Sequence, residues 1–481
     1  MGFVFLAIIC FLFADIEIIT LTPWNEFSRM LQGLLNPRFI DASTLFFSVL
    51  RTLAFAVLGV AISSVCGFGL ALVFNNRLVI WTCAFIRSIH ELFWALIFLQ
   101  LFGLHPLTGI LAIAVPYTGV FAKVYAEILE ENQHSAFTLL DNGRNYLTRF
   151  FYTHFPKALP HLRSYTLYRF ECGLRSSAIL GFLGIPTLGF YLESAFMQGF
   201  YDQVTALLLL FYALIASLKH WLNLKSFLAY LLIAPFLVGN WSQLYGPGLL
   251  QFFTLDIVPA PLLHNSSDIG LMQWLSDLLV NQALPGLLNT FILTQIVLVA
   301  TAILALILFP LVSEHFTTKL GRRLGHIFLV IIRSTPEYIL AFTLLLIWGP
   351  SLLPAIVALS IHNSGIIAHL IGHASNQIKL RSGHASGINL YGYEVLPRVF
   401  NQLLAFLFYR WEIIFRESAI LGILGIHTLG YFIVSAMEEL HFDRAIILII
   451  ITALINIFLD HFSRSIRHKL KLKTGRSLVA E

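Results

Sequence analysis

Apolar residues in this chain come in runs of about twenty, separated by short polar segments, with no two-residue alternation to suggest strands. A helix needs about 20 residues, at about 1.5 Å rise each, to cross the apolar part of a bilayer. The pattern predicts spans near residues 2–22, 46–73, 80–103, 107–127, 158–182 and 201–219, then 226–240, 286–312, 326–348, 352–372, 399–424 and 443–461. The first of these twelve carries Asp15 and Glu17, and the seventh is short. Two other segments repeat apolar residues at helical spacing: Trp24, Phe27, Met30, Leu31 and Leu34, and Leu271, Trp274, Leu275, Leu278 and Leu279. Each reads equally as a helix lying in the outer interface or as one packed on neighbouring spans.

Composition supports the same class. Of 481 residues, 58% are apolar and 11% charged, and the mean hydropathy is +0.82. A soluble protein carries about 25% charge and about 45–50% apolar residues, and single cores stop growing near about 250–300 residues. Disordered chains and disulfide scaffolds are excluded as well. The four cysteines, Cys10, Cys66, Cys83 and Cys172, have no metal or redox spacing. The expected fold is all-α, a polytopic membrane protein.

Charge placement orients the spans. Residues 181–201 and 239–291 contain no Lys or Arg, whereas the alternate loops hold Arg77, then Arg144, Arg149 and Lys157, then Lys219 and Lys225, then Lys319, Arg322 and Arg323, then Lys379, Arg381 and Arg398. Positive charge stays inside, so these loops and the tail with Arg464, Arg467, Lys469, Lys471, Lys473 and Arg476 are expected to be cytoplasmic. Twelve spans then place the N-terminus inside too, with Arg29 and Arg38 as exceptions. The first run lacks a basic n-region and a small-residue cleavage site, so it reads as a retained span. The net charge of +5 is a topology signal with anionic-lipid contact, and no nucleic-acid partner is expected.

The chain is also a tandem duplication. Residues 168–189 read YRFECGLRSSAILGFLGIPTLG and residues 409–430 read YRWEIIFRESAILGILGIHTLG, fifteen identities in twenty-two positions at an offset of 241. Upstream, Ile86, Arg87, Ser88 and Glu91 match Ile332, Arg333, Ser334 and Glu337, and Gly119 matches Gly365, at an offset of 246. The repeats divide the sequence into residues 1–224 and 225–481. Each holds an even number of spans, so the two enter the membrane in the same sense as parallel repeats.

Repeated polar positions are the functional candidates. Arg169, Glu171 and Arg175 share one span, and Arg410, Glu412 and Arg416 its counterpart. A charge at mid-membrane costs about 2.5–3.5 kcal/mol on insertion scales, so it faces protein or water. Glu171 with Arg175, and Glu412 with Arg416, have the i,i+4 spacing of a pair on one helix face. Two readings remain: cationic sites flanking an anion path, where the planar guanidinium suits phosphorus–oxygen groups, or ion pairs that only fix packing. The presence of an Arg for every Glu favours packing. Arg87 and Arg333 read as snorkelling to the surface. Gly181, Gly184 and Gly189, with Gly422, Gly425 and Gly430, are expected to permit close helix approach or a bend.

In the loop after the fourth span, Pro156 follows Gly143 by thirteen residues. This spacing, together with the repeated R-x-E-x-x-x-R-x-S-A-I-L-G-x-L-G-I-x-T-L-G stretch, resembles the permease subunits of phosphonate-type ABC importers over nearly the whole of both halves. The resemblance implies a type I importer membrane domain with both permease domains fused in one chain. It also implies a cytoplasmic ABC ATPase dimer, an external substrate-binding protein, and coupling loops near residues 131–156 and 376–397. Phe137 and Thr138 stand where the family has Glu-Ala, and Pro397 lies ten residues after Gly387 and fourteen after Gly383, so unequal coupling is expected. No phosphate loop occurs in the chain: Gly321–Gly325 is followed by His326 rather than lysine. No cofactor or metal is expected here, and ATP and Mg belong to the partner ATPase. The seventeen histidines form no H-E-x-x-H helix, and the chain is not expected to be an enzyme.

The expected function is inward movement of a small anion, a phosphonate or related phosphorus oxyanion, by alternating access in the plasma (inner) membrane. Three alternatives stay open: the same architecture with an amino acid or vitamin as cargo, a secondary transporter driven by an ion gradient, and a scaffold with no transport.

Overall fold

The computed structural model describes residues 2–20, 22–131, 150, 152, 155–239, 241, 250–263, 270–381 and 386–470. Gly143 and the rest of 132–149, and the tail from Lys471 on, lie outside the described residues. Among the described residues the regular secondary structure is all helical, without strands. It forms two compact units, Met30–Leu250, and Met1–Arg29 with Gln251–Val479.

Helices α1 (Gly2–Phe13) and α2 (Pro23–Leu35) come first. The unit Met30–Leu250 then contains α3 (Ala42–Leu72), α4 (Arg77–Ser88), α5 (Glu91–Phe102), α6 (Pro106–Glu131), α7 (Phe155–Ile179), α8 (Leu188–Met197), α9 (Tyr201–Trp221) and α10 (Leu224–Leu237). The other unit contains α1 with α11 (Leu271–Leu278), α12 (Leu284–Leu308), α13 (Lys319–Ser334), α14 (Glu337–Trp348), α15 (Leu352–Asn376), α16 (Leu396–Glu417), α17 (Leu429–Glu438) and α18 (Phe442–Lys469). Helices α3–α9 correspond in order to α12–α18.

Packing exchanges the leading helix of each repeat. In the unit of the second repeat, α1 packs along α12, and the Phe3 ring lies edge-on to Phe408 and Trp411 of α16 at 5.1 and 5.4 Å. The segment after α1 is tied in by Ile19 N–H donating to the Trp348 carbonyl and Leu352 N–H donating to that of Asp15, both at 2.9 Å. Helix α10, which opens the second repeat, packs instead on α3, where the Tyr230 hydroxyl donates to the Leu50 carbonyl at 3.0 Å. The packed units draw one helix each from across the 224/225 cut expected from the repeats.

Two runs depart from the straight spans predicted by hydropathy. The run at 80–103 bends by 91° between α4 and α5, and that at 326–348 by 85° between α13 and α14. In the first, Ile89 and His90 are extended, and His90 Nδ1 accepts the Leu92 N–H at 3.1 Å, capping α5. In the second, Thr335 precedes Pro336, whose ring disfavours helical backbone at the preceding residue. The bend also corrects the expectation for Arg87: it is buried at the end of α4, beside Gly119 of α6, rather than snorkelling outward. Counting by length and apolarity, six described helices can cross a bilayer, and up to ten spans result if each of four bent pairs is one, against the twelve predicted. Helices α1 and α10 have 12 and 14 residues. At about 1.5 Å per residue both fall short of the hydrocarbon thickness of about 30 Å. Of the two amphipathic segments, α11 buries Trp274 and Leu278, whereas Trp24, Phe27, Leu31 and Leu34 of α2 are exposed.

The remaining bends turn α7 into α8 by 54° and α16 into α17 by 46°. Each helix tightens into a 3-10 turn and stops at a left-handed glycine, Gly184 (φ 79°) or Gly425 (φ 77°). The returning backbone then touches the outgoing one. A Cβ on Gly189 would lie 2.1 Å from the Ala178 carbonyl oxygen, and one on Gly430 would lie 2.1 Å from that of Ala419. Gly181 and Gly422 face the same crossings from the other side. The first free N–H of α8, at Leu188, donates to Thr52 Oγ1 of α3 at 2.8 Å, and that of α17, at Leu429, to Thr290 Oγ1 of α12 at 2.9 Å. Helix starts leave such donors without an intrahelical partner, so each threonine supplies what the chain cannot supply locally.

The crossing gives the first prediction. Gly430→Ala forces backbone apart and is expected to cost about 1–3 kcal/mol, as overpacking does. Thermal unfolding of the detergent-purified chain should show a lowered midpoint, while Gly69→Ala, with no described atom near the added Cβ, should not. Equal midpoints would mean that the crossing is not tight.

Candidate functional site

The bends bring polar side chains of distant segments to one place in each unit. Glu91 is the first residue of α5, directly after the right-angle break. Its Oε1 accepts the Ser176 hydroxyl of α7 at 2.8 Å, and Ser176 Oγ is 2.9 Å from the Tyr117 hydroxyl of α6. With the serine proton given to the carboxylate, Tyr117 donates to Ser176, so the hydrogen bonds run from tyrosine through serine to glutamate. Two turns before Ser176, Arg169 Nε donates to the Tyr165 hydroxyl at 2.8 Å. Its guanidinium carbon lies 5.3 Å from the centre of the Tyr117 ring and 5.5 Å from that of Tyr165. Tyrosine faces attract a cation, by up to about 2 kcal/mol when water is excluded.

The other unit repeats the placement with different chemistry. Glu337 opens α14 after its break, with Oε2 3.9 Å from Nε2 of the buried His362. Asn363 stands where the first repeat has Tyr117, and Glu417 where it has Ser176. They meet as their counterparts do, Asn363 Nδ2 donating to Glu417 Oε2 at 3.1 Å. Glu417 Oε1 lies 3.8 Å from Arg410 Nη2, an ion pair in which both side chains are 14% exposed. The Nε and Nη2 of Arg410 are buried and donate no hydrogen bond among the described residues. An arginine offers five N–H donors, so this guanidinium retains capacity for an oxygen ligand.

The other predicted path residues lie on the same two helices. Glu171, Arg175 and Arg416 are half-buried and Glu412 is buried. Arg175 Nη2 approaches Cys172 Sγ at 3.8 Å. Of the predicted coupling residues, Pro156 lies in the first turn of α7 and Pro397 in that of α16, while Gly387 has φ 62° and nothing among the described residues close to where a Cβ would stand. Tyr117, Ser176, Asn363 and Glu417 were missed by sequence reasoning. The substituted positions inside the repeated stretch, Ser176 against Glu417, were the available signal.

Among curated proteins, the chain is 25% identical over 479 aligned residues to the phosphate-import permease protein PhnE of Mycolicibacterium smegmatis (strain ATCC 700084 / mc(2)155), covering 92% of this chain and 88% of that one. It is 32% identical over 114 residues to the putative cryptic phosphonate transport system permease protein PhnE2 of Escherichia coli (strain K12), 24% of this chain and 93% of that one. The chain belongs to the permeases of phosphonate-type ABC importers. The phosphite transport system permease protein PtxC of Stutzerimonas stutzeri shares 27% identity over 147 residues, covering 29% of this permease and 53% of that one. No family model and no solved structure matches the chain. Membership makes this a multi-pass membrane transport component rather than an enzyme. The alignment over 479 residues carries both repeats of this permease onto a single relative.

Breaking the ion pair in the second unit has a defined cost. Removing one partner of a fully buried pair costs about 3–5 kcal/mol, and partial exposure reduces this to about 1–3 kcal/mol. Glu417→Gln should therefore lower the thermal midpoint of the purified permease, and Arg410→Met with Glu417→Met should recover most of the loss. A midpoint unchanged in Glu417→Gln would show that the pair contributes nothing to folding.

Proposed function

We propose that this chain forms the entire membrane part of an ATP-driven importer of a small phosphorus oxyanion, with both permease domains in one polypeptide. The observation that carries the proposal is the guanidinium of Arg410, half-buried with Nε and Nη2 donating no hydrogen bond among the described residues, at the position where the first repeat holds Arg169 against two tyrosine rings. Phosphate, phosphite and phosphonates present two or three oxygens in a geometry the arginine fork matches, and such charge-assisted bonds are about twice as strong as neutral ones. The names of the relatives, phosphate-import, phosphite-transport and phosphonate-transport permeases, agree with that chemistry. Arg169, Glu171 and Arg175, with Arg410, Glu412 and Arg416, line the route in this reading, and the carboxylates keep the arginines from holding the anion too tightly to release it.

The energy comes from outside the chain. A separate ABC ATPase dimer binds ATP and Mg on the cytoplasmic side, and an external binding protein delivers the anion. ATP binding and hydrolysis act through the loops around Gly143 and Pro156 and around Gly387 and Pro397, driving alternating access of the two homologous halves. The protein sits in the plasma (inner) membrane with both termini cytoplasmic.

Uptake of radiolabelled phosphate, phosphite and methylphosphonate by cells lacking and re-expressing the chain tests the proposal. Arg410→Gln, at normal membrane level, should reduce uptake per molecule by about tenfold or more, a loss of about 1.4 kcal/mol in transition-state or binding free energy. Reduced protein level with unchanged uptake per molecule would assign Arg410 to packing alone. Pro156→Ala should abolish uptake without changing membrane insertion, measured by uptake beside quantitative immunoblots. Full uptake in that variant would remove the 131–156 loop from coupling.

A further inference from the structure

Three histidines of the second repeat converge on one point. His326 projects from the second turn of α13, and His369 and His373 stand four residues apart on α15. One ring nitrogen from each can be chosen so that all three lie within 4.8 Å of one another. The rings themselves are adjacent, with centroids 5.2 Å apart for His326 and His369 and 4.6 Å for His369 and His373. His326 and His373 are exposed and His369 is half-buried, so the cluster is open to solvent on one side.

The backbone holds α13 and α15 at this level. Gly325, next to His326, packs so closely on the 3-10 turn Phe309–Val312 that a Cβ would lie 2.4 Å from the Leu311 carbonyl oxygen. Gly372, next to His373, rests on the same turn, where a Cβ would lie 2.2 Å from Val312 Cγ2. The corresponding positions of the first repeat, at the offset of 246, are Val79 and Ile80, then Lys123, Ala126 and Glu127. Both glycines and all three histidines are therefore particular to the second half.

From this geometry we infer a binding site for a divalent transition-metal ion of the Zn2+ class, with His326, His369 and His373 as ligands. Two histidines at i,i+4 on one helix face, completed by a third from a neighbouring element, give three neutral nitrogen donors. Tetrahedral Zn2+ with Zn–N of about 2.0–2.1 Å needs its ligand atoms about 3.3 Å apart, which rotation of exposed imidazoles supplies from the observed spacing. Solvent or an anion takes the fourth position, on the open side. With no carboxylate among the ligands, a soft or borderline ion is selected over Mg2+ or Ca2+. The bound ion ties α13 to α15 a few residues before the segment 376–397, at the end that carries Lys319, Arg322, Arg323 and Lys379.

Titration of the full-length chain, purified in detergent without a polyhistidine tag, tests the site with Co2+ and Zn2+ as probes. One Co2+ per chain with the intense visible bands of a tetrahedral ion, displaced by Zn2+, is the expected result. His326→Asn, His373→Gln and His369→Ala should each weaken Zn2+ binding by about tenfold or more. Gel filtration and the thermal midpoint of the metal-free variants check that they fold, and the two exposed positions carry the test if His369→Ala does not. Substoichiometric Co2+, an octahedral spectrum, or undiminished Zn2+ affinity in His326→Asn and His373→Gln would overturn the inference and place any bound metal on other histidines of the chain.

Discussion

The backbone crossing at Gly189 and Ala178, and its repeat at Gly430 and Ala419, is the constraint from which the polar architecture follows. Only a residue without a side chain allows the start of α8 or α17 to meet the end of α7 or α16 at this distance. The crossing fixes the 3-10 turn, and the turn in turn fixes the rotation of α7 and α16 about their axes. One turn or so earlier on these helices are Ser176 and Glu417, and two turns before those are Arg169 and Arg410. Thr52 and Thr290 anchor the returning helices to α3 and α12, so the same interaction ties the bend to the long spans.

Duplication preserved this frame while its contents diverged. Both units place a glutamate at the start of a helix after a near-right-angle break, an arginine on the long helix, and a polar contact linking the sixth or fifteenth helix to it. In the first unit the contact is Tyr117 to Ser176 and the arginine rests against tyrosine rings. In the second it is Asn363 to Glu417, and the arginine is held by that carboxylate. Burying Arg169 among π-faces and Arg410 beside an anion are two solutions to the cost of placing a charge in an apolar medium. They leave the two cations differently committed.

Much of this was legible in the sequence. Apolar runs of span length gave the all-helical membrane class, because an isolated helix in lipid must satisfy its own backbone. The matched glycines between 168–189 and 409–430 marked the crossings, since a repeated glycine at fixed offset signals a backbone requirement rather than a side-chain one. The breaks at Ile89–His90 and at Thr335–Pro336 were not legible as right angles, because hydropathy averages over a window longer than the break. Nor was the exchange of α1 and α10 between units, because apolarity does not say which neighbour a helix packs on. Tyr117 with Ser176 and Asn363 with Glu417 are 59 and 54 residues apart, beyond any helical spacing rule. The H-x-x-x-H spacing of His369 and His373 was visible, but His326 joins them only through the packing of Gly325 and Gly372.

The most direct measurement is accumulation of labelled phosphite or methylphosphonate by proteoliposomes made from the chain purified, with whatever subunits accompany it, from its native membrane. The account predicts two copies of an ATPase per chain and uptake that requires ATP and the delivering protein. A chain that purifies alone and moves solute in response to an ion gradient, indifferent to ATP, would contradict it.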